Sequence, residues 1–310
     1  MSEAVLKRYA ASKQIPLGVA EKDYVLSVVI MHLSKSQHAN KLIFKGGTAI
    51  KKVYYPDARF SVDLDFDFFD VAAKDLVTDI SRMFTAKSIL EVNFIEVNEH
   101  KMANNKALLR LRYTAQLNHV DNVRLDFASQ EPLLTTPEWW TPTDEHDVAR
   151  RMSCEHLIVG GGEYAKHYSC KLGRMSRHDN RRMCLDCRME APRRGNPAPS
   201  TFRVMSREEI LSEKVRACLT RARPRDLYDI SFLRSKGIKL DRKMILSKLR
   251  LYNEFEDSPP NLAQIKEWLS PMEAEWDRDL EALVPAKSYP SYQVAEEELL
   301  KGLTESLGIS

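Results

Sequence analysis

The chain has 310 residues, of which 43% are hydrophobic and 29% are charged, and its formal net charge is only +3. This composition is typical of a soluble globular protein with one large or two moderate domains. No apolar run approaches the roughly eighteen residues of a membrane span, and the N-terminus lacks a signal peptide, so a cytoplasmic protein without a membrane partner is expected.

Charge is unevenly distributed along the chain. Residues 150–203 hold twelve Lys and Arg against five Asp and Glu, whereas residues 253–310 hold thirteen acidic against four basic residues. A basic block is typical of a protein that binds a polyanion. The two blocks could equally attract each other, or both could lie in solvent.

The first two predicted elements are helices, over residues 3–11 and 21–33. Apolar residues recur at helical spacing in the second, which would therefore pack against a sheet. Its charged start, Glu21-Lys22-Asp23, could be no more than an exposed first turn.

A glycine turn follows a short apolar strand at residues 42–44. Gly46 and Gly47 allow close approach of the backbone to a ligand, because neither carries a Cβ atom. Thr48 begins a predicted helix through residue 55, and the free N–H groups of a first helical turn form an anion site.

The next strand carries carboxylates on alternate residues. Side chains alternate between the two faces of a strand, so Asp63 and Asp65 share one face, and Leu64 and Phe66 the other. Two carboxylates on one face favour a cation between them, and Mg²⁺ is usually held by one or two carboxylates plus substrate phosphates. A polar sheet edge after an ordinary turn would be the alternative.

The stretch GGTAIKKVYYPDARFSVDLDF resembles the first motif of the AbiEii/MenT-like nucleotidyltransferases. These are toxins of type IV toxin–antitoxin systems, within the DNA polymerase β-like superfamily. The resemblance implies an α+β fold, with a mixed sheet flanked by helices and a C-terminal helical domain. It also implies an Mg²⁺ site at Asp63 and Asp65, and an NTP site at Gly46, Gly47, Thr48 and Ser61.

A helix over residues 73–85 and strands over residues 89–99, 106–116 and 120–128 continue the domain. Arg110 and Arg112 share one face of their strand and could face phosphates or solvent. Asp126 stands among apolar residues in Val123-Arg124-Leu125-Asp126-Phe127. Similar motifs in the family supply a third carboxylate, which binds metal or takes the proton of an attacking hydroxyl. A lone Asp in a strand can also end a sheet or pair with an arginine.

Residues 133–145 are rich in Pro, Thr and Trp and are predicted to form a loop. Trp139 and Trp140 would pack against their own domain or stack on a base.

The residues from 154 to about 200 are predicted to be a basic, Cys-rich insertion that the resemblance does not cover. Cys184 and Cys187 form a C-x₂-C pair typical of half a zinc site, with Cys154 and Cys170 as the expected partners. Free thiols and a redox disulfide remain alternatives. Seven arginines between positions 174 and 194 make RNA phosphates a plausible contact.

A regular helix is predicted from Ser206, with a capping box formed by Ser206 and Glu209. Lys214 lies on the buried face of this helix, four residues after Ile210, whereas Glu209, Glu213 and Arg216 are expected outside. An inward lysine requires an anion, which could be an internal carboxylate or a triphosphate. In the next helix, Asp229 is expected to pair with Arg225.

The stretch ILSEKVRACLTRARPRDLYDI resembles the C-terminal motif of the same family. The resemblance implies that Lys214 binds the nucleotide phosphates and that Asp226 is an active-site residue, while Asp229 could be structural. Further helices are predicted over residues 239–252, 262–283 and 296–307.

The sequence thus predicts a nucleotidyltransferase core in residues 1–150, the insertion in residues 151–203, and a helical domain in residues 204–310 that completes the site. The expected reaction is Mg²⁺-dependent transfer of a nucleotide from an NTP to RNA, with CTP or GTP as the expected NTP. The expected acceptor is the tRNA 3′ end, and the expected outcome is growth arrest. A cognate antitoxin is the expected partner. The alternatives are a nucleic-acid-binding regulator, or a GTP-binding protein that transfers nothing to RNA.

Overall fold

The computed structural model describes residues 2–103, 106–129, 133–142, 156–159, 167–170, 201–251, 261–285 and 289–308. The strands are β1 (Leu42–Lys45), β2 (Asp63–Phe68), β3 (Lys87–Ile89), β4 (Val92–Ala103), β5 (Lys106–Thr114), β6 (Val120–Ser129), β7 (Glu138–Trp140), β8 (His156–Val159), β9 (His167–Cys170) and β10 (Phe202–Val204). The helices are α1 (Glu3–Lys13), α2 (Leu17–Leu33), α3 (Gly46–Ala49), α4 (Ala73–Phe84), α5 (Arg207–Arg221), α6 (Pro224–Ser235), α7 (Arg242–Leu251), α8 (Leu262–Leu269), α9 (Pro271–Leu280) and α10 (Tyr292–Leu307).

Eight strands form one mixed sheet in the order β3-β4-β5-β6-β2-β1-β10-β7, which confirms the predicted α+β fold with a mixed sheet flanked by helices. The central strand β2 pairs in parallel with β6 and antiparallel with β1. Strand β1 pairs in parallel with β10. Strands β8 and β9 form a separate two-stranded sheet.

The apolar face of β2 supplies the centre of the core. Leu64, Phe66 and Phe68 alternate with the aspartates and are buried, as the period of two predicts. Phe66 stacks between Phe44 of β1 and Phe127 of β6, with ring centroids 5.1 and 5.6 Å apart. The aspartates are thereby held on the opposite face of the sheet.

The helix after the glycine turn differs from the predicted one. The α-helical hydrogen bonds end at Ala49, and residues Ile50–Tyr54 continue as a π-helix. The Tyr54 hydroxyl donates to the Met205 carbonyl at 2.8 Å, and the Met205 N–H donates to the Phe44 carbonyl at 3.0 Å. These bonds fix the start of α5 next to the glycine turn.

Helix α2 begins four residues earlier than predicted, so its charged residues lie inside the helix and not in a first turn. Glu21 is buried and accepts from the Leu117 N–H at 2.7 Å. Asp23 is buried between Lys52, at 2.6 Å, and the Tyr9 hydroxyl, at 2.9 Å. The exposed-turn interpretation was therefore wrong.

Of the capping box predicted at Ser206 and Glu209, the bond made by the Ser206 side chain is confirmed. The Ser206 hydroxyl accepts from the Glu209 N–H at 3.2 Å. The Glu209 carboxylate is fully buried, however, where it accepts from the N–H groups of Leu134 and Thr135 and pairs with Lys248. The prediction that Glu209 is exposed was wrong because α5 packs against neighbours on more than one side. Glu213 and Arg216, also predicted to be exposed, are largely buried.

The short strands β7 to β10 and one helix break were missed. Residues Glu138–Trp140, predicted as a loop, pair with β10 at the sheet edge, and Trp140 stacks on Phe44. Proline lacks an N–H and ends helices, so Pro271 divides the predicted helix of residues 262–283 into α8 and α9.

In the part of the chain that is described, no helix is long and apolar enough to span a bilayer.

Candidate functional site

The predicted carboxylates meet on one face of the sheet. Strands β2 and β6 are parallel, and their register pairs Asp65 directly with Asp126 and Asp63 with Arg124. Paired residues on neighbouring strands point to the same face, so Asp63, Asp65 and Asp126 form one cluster. The sequence predicted a third carboxylate on a neighbouring strand, and the structure places Asp126 there.

The carboxylate of Asp65 carries an uncompensated charge. Among the described residues it has neither a hydrogen bond nor a salt bridge. Burial, followed by the charges of Asp63 and Asp126, raises the pKa of Asp65 to about 7, although Lys214 and Lys45 oppose the shift. A cation bound at this point would remove that repulsion.

Two further carboxylates on this face, those of Asp126 and Asp67, are already paired. Arg124 reaches Asp126 with its Nε and Nη2 atoms, at 2.7 and 2.6 Å. Asp67, a possible further ligand on the same strand face, is buried with its carboxylate 2.6 Å from the Lys45 ammonium. Asp126 is open to exchange of its partner, whereas Asp67 is held in the sheet.

The two glycines make room for this cluster. Gly46 has φ of +77°, and a Cβ atom there would overlap the carboxylate of Asp65. A Cβ on Gly47 would lie 2.8 Å from Nη2 of Arg59 and 2.9 Å from Oγ of Ser61. Side chains of the site therefore occupy the space that a Cβ atom would fill at both positions. Glycine is needed there for this packing as well as for close approach of a ligand.

Thr48 and Ser61 lie beside the glycine turn and are both buried. The Thr48 hydroxyl donates to the Asp63 carbonyl at 2.5 Å and joins the turn to β2. The Ser61 hydroxyl is enclosed without a hydrogen-bond partner among the described residues. Ser61 is thus a free polar group next to Gly47.

Lys214 points from α5 toward two carboxylates of α6. Its Nζ atom lies 2.8 Å from Asp226 Oδ1 and 2.8 Å from Asp229 Oδ2. Burial alone would lower the pKa of Lys214, but the two aspartates outweigh it and raise the pKa above its usual value. The internal carboxylates that the sequence left as one alternative are therefore present.

Two arginines complete this ionic network. Arg59, 5% exposed, donates from Nε and Nη2 to the two oxygens of Asp229, at 2.8 Å each. Arg221 donates from Nε to Asp226 Oδ2 at 2.8 Å. Burial alone would raise the pKa of Asp226, but Lys214 and Arg221 hold it at about 2.

The predicted pair of Arg225 with Asp229 was wrong, because Arg59 is the arginine that reaches Asp229. Arg59, Arg124 and Arg221 were all missed as site residues. Arg59 stands four residues before Asp63 and Arg124 two before Asp126, so proximity to the motif aspartates was the available signal.

Two cavities open on the carboxylate face. One, of about 580 Å³, is lined from the sheet by Lys45, Asp65 and Asp126 and from α5 by Glu213 and Ala217. The other, of about 420 Å³, is lined by Gly47, Asp63 and Lys22, and by the corner between α5 and α6. Four residues line both cavities and therefore separate them: Asp65, Arg124, Lys214 and Arg221.

The donor set fits a magnesium ion better than a metal bound only by protein. Within the described ranges, no three Asp, Glu, His or Cys side chains form a ready metal-binding group. Asp63 and Asp65 do offer hard oxygen ligands. Among the described residues, no cation is paired with Asp65 that a metal ion would have to displace. Mg²⁺ is commonly held by such a pair together with substrate phosphates.

The cleft, the carboxylate cluster and the mixed sheet together define a protein of the nucleotidyltransferase class. Among solved structures, the chain is similar in fold to MenT4, a nucleotidyltransferase toxin of Mycobacterium tuberculosis H37Rv, with a TM-score of 0.53 and 17% identity. That match covers 97% of this chain and 90% of MenT4. A putative nucleotidyltransferase from Helicobacter pylori matches with a TM-score of 0.50 and 14% identity, over 93% of this chain and 94% of that one.

The family is shown by the sequence. The family described as nucleotidyl transferase AbiEii toxin, type IV TA system, matches residues 29–155 and 174–298, well over half of the chain. The chain belongs to this family of type IV toxin–antitoxin nucleotidyltransferases, which confirms the resemblance. A search of curated proteins found no match.

The Cys-rich insertion receives no support. The gap between the two ranges of the family match is residues 156–173, so Cys184 and Cys187 fall inside the matched range and not in an added segment. Cys170 lies in β9, and Cys154, Cys184 and Cys187 lie outside the described residues. The zinc site therefore stays an untested prediction, as do the arginine contacts predicted for that segment.

Proposed function

We propose that this protein transfers a nucleotide from an NTP to the 3′-hydroxyl of an RNA acceptor, the 3′ end of a tRNA. The observation that carries the proposal is Asp65: a carboxylate with a raised pKa, between Asp63 and Asp126, in a cleft that also contains Lys214. Such a cluster suits a step in which a divalent cation and a phosphate chain arrive together.

The triphosphate is expected on the glycine side of the cleft. Gly46, Gly47 and Thr48 form the first turn of α3, whose N–H groups would bind the phosphates, and Ser61 contributes a hydroxyl that has no partner among the described residues. Lys214 and Arg221 border the same cavity and carry the compensating positive charge. The expected NTP is CTP or GTP.

Asp63 and Asp65 would hold Mg²⁺, which when bound polarises the α-phosphate toward attack. Asp126 has two possible uses, as a third ligand or as the base that takes the proton of the attacking hydroxyl. Arg124 contacts only Oδ2 of Asp126, at a half-exposed position, and leaves Oδ1 without a partner among the described residues for either use.

Asp226 acts through Lys214 and not on the substrate. Asp226 Oδ1 and Asp229 Oδ2 both contact the Lys214 ammonium and fix its position. Arg59 and Arg221 balance the remaining negative charge of the two aspartates. Fixing a cation in advance avoids its reorganisation when the phosphates arrive. Asp226 is therefore proposed as a positioning residue.

Membership of a type IV toxin–antitoxin family implies an antitoxin partner. We propose that blocking tRNA 3′ ends is the way in which this toxin arrests growth.

The test is incubation of purified protein with Mg²⁺, bulk tRNA and each labelled NTP in turn. We expect label at the RNA 3′ end with one or two NTPs, and loss of that label in Asp63→Ala. The control variant is Asp57→Asn, which removes an exposed carboxylate paired with Lys236 and should transfer normally. Absence of RNA labelling by wild type would contradict the proposed reaction. NTP-dependent stabilisation without labelled RNA would favour a GTP-binding protein, and RNA binding without either would favour a regulator.

A further inference from the structure

Three charged side chains lie in one row across the carboxylate face of the sheet. The antiparallel register of β5 and β6 places Arg110 directly opposite Arg124. The parallel register of β6 and β2 places Arg124 beside Asp63. Because neighbouring strands lie about 4.8 Å apart, Arg110 stands about 10 Å from Asp63 on the same face.

The two arginines differ in how their charge is compensated. Arg124 is paired with Asp126, as described above. Arg110 has no salt bridge and no hydrogen bond among the described residues, and its Nε atom is enclosed without a partner. Its other cross-strand neighbour is the uncharged Asn98, whose amide donates to Glu96. Like charges directly opposite each other in a sheet are destabilising, so this placement lacks a structural reason in the part of the chain described.

Arg112 provides the internal comparison. It is two residues from Arg110 on the same face of β5, and it pairs with Glu96 at 2.5 Å in an exposed position. The strand therefore carries one arginine with a carboxylate partner and one without. A guanidinium that is half-buried and unpaired beside a second guanidinium is a site for an anion, and phosphate matches its planar donors best.

The position of Arg110 indicates which phosphate it meets. Arg124 lines both cavities, whereas Arg110 lines neither and lies one strand further out. The NTP phosphates are expected deep in the cleft, near Gly47 and Lys214. A group that contacts Arg110 and Arg124 from outside the cleft, next to the carboxylates, is the end of the acceptor.

We propose that Arg110 and Arg124 together bind a backbone phosphate of the RNA acceptor, close to its attacking 3′-hydroxyl. This inference rests on the proposed function, since it assigns the acceptor subsite of the same cleft. Binding of the phosphate by Arg124 would also release Oδ2 of Asp126.

The test compares Arg110→Gln with Arg112→Gln and Arg110→Lys. Binding is measured with a short single-stranded RNA that lacks its terminal 3′-hydroxyl, so that the assay does not require transfer. We expect Arg110→Gln to weaken binding about tenfold and to reduce the slope of log K against log salt by about 0.7, the value for one lost phosphate contact on a single strand. Arg110→Lys should lose less affinity and keep the slope. Arg112→Gln should bind RNA as wild type does.

Steady-state transfer to bulk tRNA gives the second readout. Arg110→Gln should raise the KM for RNA about tenfold and leave the KM for NTP unchanged. A rise in the KM for NTP alone would place the pair on the triphosphate and overturn the inference. The thermal midpoint should be unchanged or higher, since one of two opposed charges is removed; a lower midpoint with normal RNA affinity would show that Arg110 is structural.

Failure of this inference is separable from failure of the proposed function. If wild type labels RNA and Arg110→Gln binds RNA with wild-type affinity and salt slope, only the acceptor subsite is wrong. If wild type labels no RNA, the proposed reaction is wrong, and the binding assay still decides whether Arg110 contacts RNA. RNA binding that is absent in wild type would overturn both.

Discussion

The two charged regions of the cleft are built in opposite ways. On the strands, Asp63, Asp65 and Asp126 are brought together, and among the described residues only Asp126 is paired with a cation. The pKa of Asp65 rises to about 7. On the helices, Lys214 lies between Asp226 and Asp229, and every charge has a partner at 2.8 Å. The strand region is short of positive charge, whereas the helix region is balanced.

This difference indicates that the strand region binds the ligand, whereas the helix region holds the site in place. A set of like charges held close together costs stability and is retained where a ligand compensates it. A buried, fully paired network fixes its members but has little to gain from a ligand. We therefore expect substitutions in the strand region to affect activity far more than stability, and substitutions in the helix region to affect stability first.

The largest effect is expected from Asp65→Asn. Transfer to RNA should fall by at least about a thousandfold, because the amide cannot hold the cation that the reaction needs. The thermal midpoint without metal should rise at the same time, because a repelling charge is removed. Both are measured on one preparation, by label transfer and by thermal unfolding in EDTA. A lower midpoint would mean that Asp65 is compensated by a group other than the ligand.

The opposite result is expected for Arg59→Met. Asp229 would lose both hydrogen bonds from Arg59 and keep only its contact with Lys214, which Asp226 also contacts. Breaking a buried ion pair by removing one partner costs about 3 kcal/mol. Denaturant unfolding should show this loss, whereas Arg278→Met, which removes an exposed arginine paired with Glu275, should change little. Equal stability of Arg59→Met and wild type would show that the ionic network does not stabilise the fold.

Gly46 and Gly237, two glycines with positive φ, give a matched pair for the turn. Gly46→Ala adds backbone strain and also displaces Asp65, so transfer should fall about a hundredfold. Gly237→Ala has the same strain, at φ of +85°, but meets nothing within 4 Å. It should lose about 1 kcal/mol of stability and keep its activity. Similar activity of the two variants would show that the Asp65 position is not set by Gly46.

The pH dependence of stability follows from the raised pKa of Asp65. A carboxyl group with a folded pKa near 7 and an unfolded pKa near 3.9 stabilises the fold below about pH 4, and this contribution is lost as the pH rises through 7. In EDTA, the stability advantage of Asp65→Asn over wild type should therefore be larger at pH 8 than at pH 5, by about 2.5 kcal/mol. Denaturant unfolding at the two pH values measures it, and an equal advantage would contradict the shift.

The sequence predicted the strand region well because its logic is local. Alternation along β2 places Asp63 and Asp65 on one face and Phe66 on the other, and the apolar context of Asp126 marks a neighbouring strand. These inferences need only the period of two. The parallel register that puts Asp126 beside Asp65 was expected from the family resemblance, not from spacing.

The helix region was predicted less well because its contacts are long-range. Arg59 and Asp229 are 170 residues apart, so local spacing favoured Arg225 as the partner. Glu209 was placed outside because a single apolar stripe was read from α5, whereas that helix also contacts α7. The strands β7 and β10 have three residues each, which is too short for a periodic signal.

The most direct test of the contrast between the two regions is the effect of Mg²⁺ on thermal unfolding at pH 8, without nucleotide. If the strand region is short of positive charge, Mg²⁺ should stabilise wild type by about 1.4 kcal/mol at ten times its Kd. The same Mg²⁺ should leave Asp65→Asn unchanged, and should stabilise Arg59→Met as much as wild type. Equal stabilisation of wild type and Asp65→Asn, or none in wild type, would contradict the account.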